Sequence, residues 1–211
     1  KHITSKFLVS LVFTDTGTAH IKEYCARKNL PLFVGNPRCQ NALDFSHSLP
    51  CDILLSVNYR FLIEEKLISL PKIAAINLHG SLLPKYRGRT PHVWAIINNE
   101  TETGITAHLI EPGCDTGAIL LQERIPILET DTGGDLLNTF KIMYPTLITQ
   151  LLTNTEALLA NRVPQDHTMA TTFPARTPED GRICWDWQRE RIRNWIRALA
   201  PPYPGAFFEN A

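Results

Sequence analysis

The feature that most constrains this chain is an alternation. Short apolar runs, each about one strand long, are separated by stretches whose apolar residues recur at helical spacing. Phe7 to Phe13 reads as a buried strand, Thr14 to Thr18 as turn and cap, and Ala19 to Lys28 as a helix with Ile21, Tyr24 and Cys25 on one face. Leu32 to Val34 is a second strand, Gln40 to Ser48 a weaker helix, and Asp52 to Val57 a third strand. Ile63 to Leu70 follows as a helix and Ile73 to Leu78 as a fourth strand. Strand and helix in turn predict an α/β fold with a Rossmann-like, doubly wound, mainly parallel sheet covered by helices on both faces.

The pattern changes after Leu78. Gly80 to Arg89 is a polar loop, Pro91 to Asn98 a helix with proline in its first turn, and Ile105 to Ile110 and Ala118 to Ile127 two more strands. Thr132 to Ala160 is helical throughout, and Pro145 is expected to kink or break it. Beyond Pro164 the chain is rich in loops. Ile183 to Trp187 reads as a short strand, and Gln188 to Leu199 as a basic helix with Ile192, Trp195, Ile196 and Leu199 on one stripe. Trp185, Trp187 and Trp195 are expected to form a small core there, and Arg189, Arg191, Arg193 and Arg197 a solvated face. The resulting division is residues 1–163 as a core and 164–211 as a small C-terminal α+β subdomain. Only Lys1 to Lys6 precede the first strand, and Lys1 is not methionine. The expectation is that a strand–helix unit of roughly 20–25 residues is missing from the start of the fold.

Composition excludes several classes. Lys and Arg number 21, equal to Asp and Glu, so no bulk field attracts nucleic acid or anionic membrane. No apolar run reaches the ~18 residues of a membrane span. The 5 cysteines are odd in number and form no CxxC pair, and His92, His108 and His167 have no ligand spacing. Neither a disulfide scaffold nor a metal site is expected, and a reducing cytoplasm is the natural compartment.

Two clusters carry candidate chemistry. Asn77 and His79, two apart at the carboxyl end of a strand, point to one side, where open α/β sheets bind ligands. The imidazole is a candidate base and the amide a candidate oxyanion donor. Asp115 lies between Gly113 and Gly117, where backbone approaches a ligand closely. A carboxylate against His79 would raise its pKa and orient it. Taken singly, each has a plain reading: a hydrogen-bonded turn histidine, a capping asparagine, a hairpin aspartate.

Together they are specific. Asn77-x-His79-x-Ser81-Leu82-Leu83-Pro84, then Asp115 in Gly113-Cys114-Asp115-Thr116-Gly117, resembles the formyltransferase family that uses N10-formyltetrahydrofolate. Glu102 to Thr106 extends the resemblance. The stretch His79 to Arg89, Tyr59 to Ile63, and the tail from Arg176 to Phe207 are similar to the bacterial sugar-nucleotide N-formyltransferases, such as the domain acting on UDP-4-amino-4-deoxy-L-arabinose. The resemblance implies transfer of a formyl group from N10-formyltetrahydrofolate, a co-substrate, to the primary amine of a nucleotide-linked amino sugar, in modification of a cell-surface polysaccharide or lipid. It implies Asn77, His79 and Asp115 as catalytic residues, and the pterin among Phe61, Leu62, Ile63, Leu83, Gly113 and Cys114. Lys85, Tyr86 and Arg87 are near enough in sequence to meet phosphate or sugar. The alternatives are a methionyl-tRNA formyltransferase core without its tRNA-binding barrel, and a folate- or sugar-nucleotide-binding module without activity. Sugar, nucleotide and amine position stay open, as does homodimerisation.

Overall fold

The computed structural model describes residues 7–47 and 50–209, and the chain divides into two compact units. Lys1 to Lys6, Ser48 at the end of the expected second helix, and Ala211 lie outside the described residues.

The first unit takes the chain to Leu78 and adds Leu109–Gly113. It runs β1 (Val12–Thr14), α1 (Ala19–Lys28), β2 (Leu32–Val34), α2 (Gln40–His47), β3 (Ile53–Val57), α3 (Glu65–Ile68) and β4 (Ala74–His79), the last residue of β4 belonging to the second unit. β1 pairs with β2 and β3 with β4, both parallel, as alternation with helices requires. α1 closes on Asn29 in the left-handed conformation (φ 51°), with Arg27 and Lys28 against the negative end of the helix dipole. Phe13, Phe33 and Phe45 pack at 5.4 to 5.9 Å between ring centres. The first strand is shorter than expected. Phe7 to Leu11 stay outside it and Leu8 is 92% exposed, because a three-residue β2 offers no further ladder. α3 is likewise one turn rather than Ile63 to Leu70.

The second unit comprises His79–His108 and everything from Cys114. It contains β5 (Arg87–Gly88), α4 (Pro91–Ile97), β6 (Glu102–Leu109, its last residue belonging to the first unit), β7 (Ile119–Pro126), α5 (Gly133–Thr153), α6 (Thr155–Ala160), β8 (Thr172–Phe173) and α7 (Arg189–Ala198). β6 pairs with β7 antiparallel, and β5 with β8 parallel. Within this unit one apolar core runs across residue 163. Val93, Ile96 and Leu136 share one apolar core with Trp195, Ala198 and Leu199, so α4, α5 and α7 cannot be separated from one another. Gly133 makes this possible: a Cβ there would stand 2.2 Å from the Ala198 carbonyl oxygen.

α5 passes through Pro145 without breaking and ends at Asn154. The proline is on the exposed side, where its missing N–H costs least, and its carbonyl accepts from the Thr149 hydroxyl at 2.8 Å. The opposite face buries Phe140, Tyr144, Leu147, Ile148 and Leu151, and burying one such side chain is worth about 2 to 3 kcal/mol. Thr132 and Asp135 cap the start reciprocally.

Two expectations for the tail change. Ile183 to Trp187 form no strand, because Arg182 makes only an isolated bridge to Phe207 and the chain then turns. Trp187 and Trp195 pack edge to face at 4.8 Å, but Trp185 stands apart, 64% exposed, against Phe208. Among the described residues no helix is long and apolar enough to cross a membrane.

Candidate active site

β4 is buried along nearly its whole length except at Asn77, which is half-buried. Period-2 geometry puts Asn77 and His79 on the same side of the strand. His79, 7% exposed, brings its Nε2 to 2.7 Å from the Tyr86 carbonyl oxygen. A carbonyl only accepts, so Nε2 carries the proton and, in the neutral ring, Nδ1 carries the lone pair. Nδ1 faces Asp115 Oδ2 at 3.6 Å.

Asp115 sits on a loop in the left-handed region (φ 53°), a conformation that aspartate tolerates better than most residues. Its carboxylate is shared. Oδ1 lies 3.5 Å from His108 Nε2, and Oδ2 accepts from the Gly88 backbone N–H at 3.0 Å. Two buried imidazoles thus flank one carboxylate, with the rings of His79 and His108 6.5 Å apart.

The electrostatics follow from burial and these partners. Burial pushes the His79 pKa down from the ordinary imidazole value, and His108 pushes the same way. Asp115 and the Tyr86 carbonyl pull upward without offsetting that. The expectation that Asp115 would raise the histidine is right for that one interaction, but desolvation wins. Burial alone would raise the Asp115 carboxyl. The hydrogen bond from His108, the nearby His79 and the Gly88 N–H together hold it well below the usual carboxylate range. The arrangement is a neutral imidazole beside a fixed anion. Such a ring can take a proton at Nδ1, and the carboxylate then stabilises the imidazolium.

The loop behind His79 is braced from within the same unit. Thr106, fully buried on β6, accepts from the Leu83 backbone N–H at 3.2 Å and donates to the Ser81 carbonyl at 2.6 Å. Gln122 donates to the Leu83 carbonyl at 2.7 Å. Leu83 itself is 3% exposed. Tyr86, with a positive φ of 60°, is buried, stacks on Phe173 at 5.0 Å and donates from its hydroxyl to Glu100 at 2.7 Å. Arg87 is 7% exposed and donates to Gln165 Oε1 through Nε at 3.2 Å and through a terminal nitrogen at 2.6 Å, with His167 Nδ1 at 3.1 Å. Of the three expected acceptor contacts, only Lys85 is exposed.

The expected pterin contacts fall as follows. In the first unit, Phe61, Leu62 and Ile63 occupy the irregular segment between β3 and α3, with Leu62 53% exposed, and exposed Gly113 has φ 128°. In the second, Cys114 is exposed as a residue, but partial desolvation of its thiol together with neighbouring Asp115 pushes that thiol up to about 11.

Sequence reading missed His108, Thr106 and Gln165. The first two had a signal: polar residues two apart, alternating with the apolar Ile105, Ala107 and Leu109 in the second half of a strand. Gln165 had none, being one polar residue in a loop 50 positions from Asp115. Among the described residues no group of three or more His, Cys, Asp or Glu is placed to hold a metal ion.

Residues 20–152 match the family described as formyl transferase, and residues 176–211 match the formyl transferase C-terminal domain. A sugar N-formyltransferase from Shewanella sp FDAARGOS_354 superposes with a TM-score of 0.71 at 18% identity, over 95% of this chain and 92% of that one. A methionyl-tRNA formyltransferase from Clostridium thermocellum gives 0.70 at 23% identity, over 97% and 89%. A formyltransferase from Anoxybacillus kamchatkensis, solved with UDP-4,6-dideoxy-4-formamido-L-AltNAc and tetrahydrofolate, gives 0.62 at 20% identity, over 81% and 88%.

Proposed function

The chain belongs to the formyl transferase family, and from that premise we propose that it moves a formyl group from N10-formyltetrahydrofolate to the primary amine of a nucleotide-linked amino sugar. The observation that carries this reading is the buried His79–Asp115–His108 constellation directly following Asn77. Formyl transfer to an amine needs a base for the amine proton and a donor for charge developing on the formyl oxygen.

Each group has a role. The donor, when bound, supplies an activated formyl carbon. Asn77 donates from its amide to the oxygen on which charge develops. His79, kept neutral by burial, accepts the amine proton at Nδ1, directly or through a water, while its Nε2–H stays on the Tyr86 carbonyl. Asp115 stays ionised and balances the imidazolium. Holding both substrates in register contributes much of the rate. We assign the pterin to the segment Phe61–Ile63 and to Gly113. An exposed leucine on an apolar segment and a glycine at φ 128° suit a flat heterocycle and close backbone approach. Lys85 is our candidate for the acceptor's phosphates, while Tyr86 and Arg87 shape the loop that presents it. Five free cysteines fit a reducing, cytoplasmic compartment.

The sugar reading is preferred to a tRNA acceptor because the formal net charge is zero, whereas tRNA affinity usually draws on several cationic contacts. The test presents N10-formyltetrahydrofolate with a panel of UDP- and dTDP-linked 3-amino and 4-amino sugars and, in parallel, charged initiator tRNA. Formylation of a nucleotide sugar alone is the expected result. Robust formylation of methionyl-tRNA with none of any sugar would replace the acceptor in this proposal.

A further inference from the structure

Arg87 poses a problem of charge. The residue is 7% exposed, and its hydrogen-bonding partners Gln165 and His167 carry no negative charge to match its guanidinium. A buried cation is costly unless its donors are satisfied and an anion is near. Gln165, itself 6% exposed, meets the first need and connects to the second. Its Oε1 takes both Arg87 donors. Its Nε2 donates to the Asp115 carbonyl at 2.9 Å and to the Gly117 carbonyl at 2.7 Å. The amide orientation is fixed by chemistry, since guanidinium only donates and carbonyls only accept. One side chain therefore uses its whole amide to tie the buried arginine to both sides of the loop that bears Asp115. On the other side of Arg87 the chain continues to Gly88, whose N–H holds Asp115 Oδ2.

We infer that Gln165 is the positioning residue for Asp115: it fixes the left-handed loop so that one carboxylate reaches His79 and His108 together. For the reaction this rests on the formyl-transfer reading above, but the placement of the loop stands without it. Without the two donations, the backbone on both sides of Thr116 is freed and the carboxylate drifts from His79. Misplacement of about 1 Å in a catalytic group costs about 10²-fold in rate.

The informative variant is Gln165→Glu. It is isosteric, keeps and strengthens the acceptor toward Arg87, and removes both donations to the loop. If Gln165 serves only to satisfy Arg87, the new carboxylate turns away from the two carbonyls, the Asp115 loop keeps its place and the Gly88 N–H keeps its protection. If it positions Asp115, kcat for N10-formyltetrahydrofolate with UDP-4-amino-4-deoxy-L-arabinose falls about 10²-fold with KM for the amine unchanged. Amide hydrogen exchange supplies a readout independent of activity. The Gly88 N–H, which reports the carboxylate's position, loses protection while the amides of α5 keep theirs. Gln165→Met keeps the volume, and serves if the glutamate variant does not fold. Wild-type kcat and Gly88 protection in Gln165→Glu, or a uniform loss of protection across the unit, overturns the inference. An inactive wild type combined with selective loss at Gly88 overturns the proposed acceptor and leaves the positioning role supported.

Discussion

The two units treat polar residues in opposite ways. Among the described residues of the first, buried polar side chains amount to Thr14, Ser46 and Ser56, small hydroxyls of which Ser46 bonds back to its own helix backbone. Turns and helix ends take most of the rest. In the second, His79, His92, His108, Arg87, Gln165, Thr106 and Asn194 are all buried, and each has a partner on a different segment. Burying such groups costs stability unless every one is satisfied, so a region that does it repeatedly is paying for something other than fold. The lesson is that the βα alternation builds the framework, while the residues of the candidate site lie where the hydropathy pattern is violated.

That contrast can be broken most forcefully at the site. His79→Ala and Asp115→Asn are each expected to lower formyl-transfer kcat by about 10²–10⁴-fold with the fold retained, checked by steady-state kinetics beside circular dichroism. Asparagine is chosen at 115 because it accepts the left-handed backbone there. Near-wild-type turnover in either variant removes that residue from the catalytic set.

Gly88→Ala should strike stability as well. At φ 97° a Cβ would meet the Phe173 carbonyl oxygen at 2.2 Å, in the β5–β8 pairing itself. A loss of about 3 kcal/mol or more is expected in urea unfolding. A matched change in the first unit, Gly17→Ala, meets only the flexible Asp15 side chain at 3.5 Å and should be nearly silent. Equal losses would contradict the contrast.

The third test uses pH. Burial lowers the His92 pKa to about 4, below its value near 6.5 in an unfolded chain, and His79 is lowered for the same first reason. The unfolded state then binds more protons, so stability is complete above pH 6.5 and falls as pH drops through that value. His92 alone predicts a loss of about 2 kcal/mol between pH 7 and pH 5. Chemical unfolding at the two pH values, with His92→Gln as control, should show most of that loss removed. A pH-independent wild type would sink the idea.

The smallest effect concerns thiols. Unfolded, unreduced protein should titrate 5 free cysteines. In the native state Cys39 and Cys184 should react first. Cys114, though exposed, should lag because its thiol is pushed up to about 11, and Cys25 should wait for unfolding. Labelling of Cys114 as fast as that of Cys39 would contradict this order.

These tests also mark what the sequence made legible. α1 over Ala19–Lys28, β3, β4 and β7 were readable within a residue or so, because periodicity and flanking turn residues act locally. Strand-end placement and flanking glycines, also local signals, marked Asn77, His79 and Asp115 as candidates, but only the family resemblance set them apart from ordinary turn and cap residues. What escaped was non-local. The length of β1 depends on the ladder that β2 offers, and the fate of Pro145 depends on which face of α5 is buried. The neutrality of His79 depends on its desolvation, and the role of Gln165 on a fold that brings residue 165 to residue 87.

That last pairing has a consequence for how the molecule is made. Arg87 and its amide partner are separated by 78 positions, and Tyr86 takes its backbone acceptor, the Thr171 hydroxyl, from 85 positions downstream. His79 and Asp115 are therefore synthesised well before the groups that hold their loops. During elongation at roughly 5–20 residues per second, several seconds pass in which the arginine has no amide to receive it and must remain hydrated. Maturation of the proposed active centre is thus a late event in biosynthesis, completed from the carboxyl side after the α/β framework has emerged. A nascent chain halted before Pro164 should display the residue 79–89 segment to protease, and a chain extended past Phe173 should conceal it.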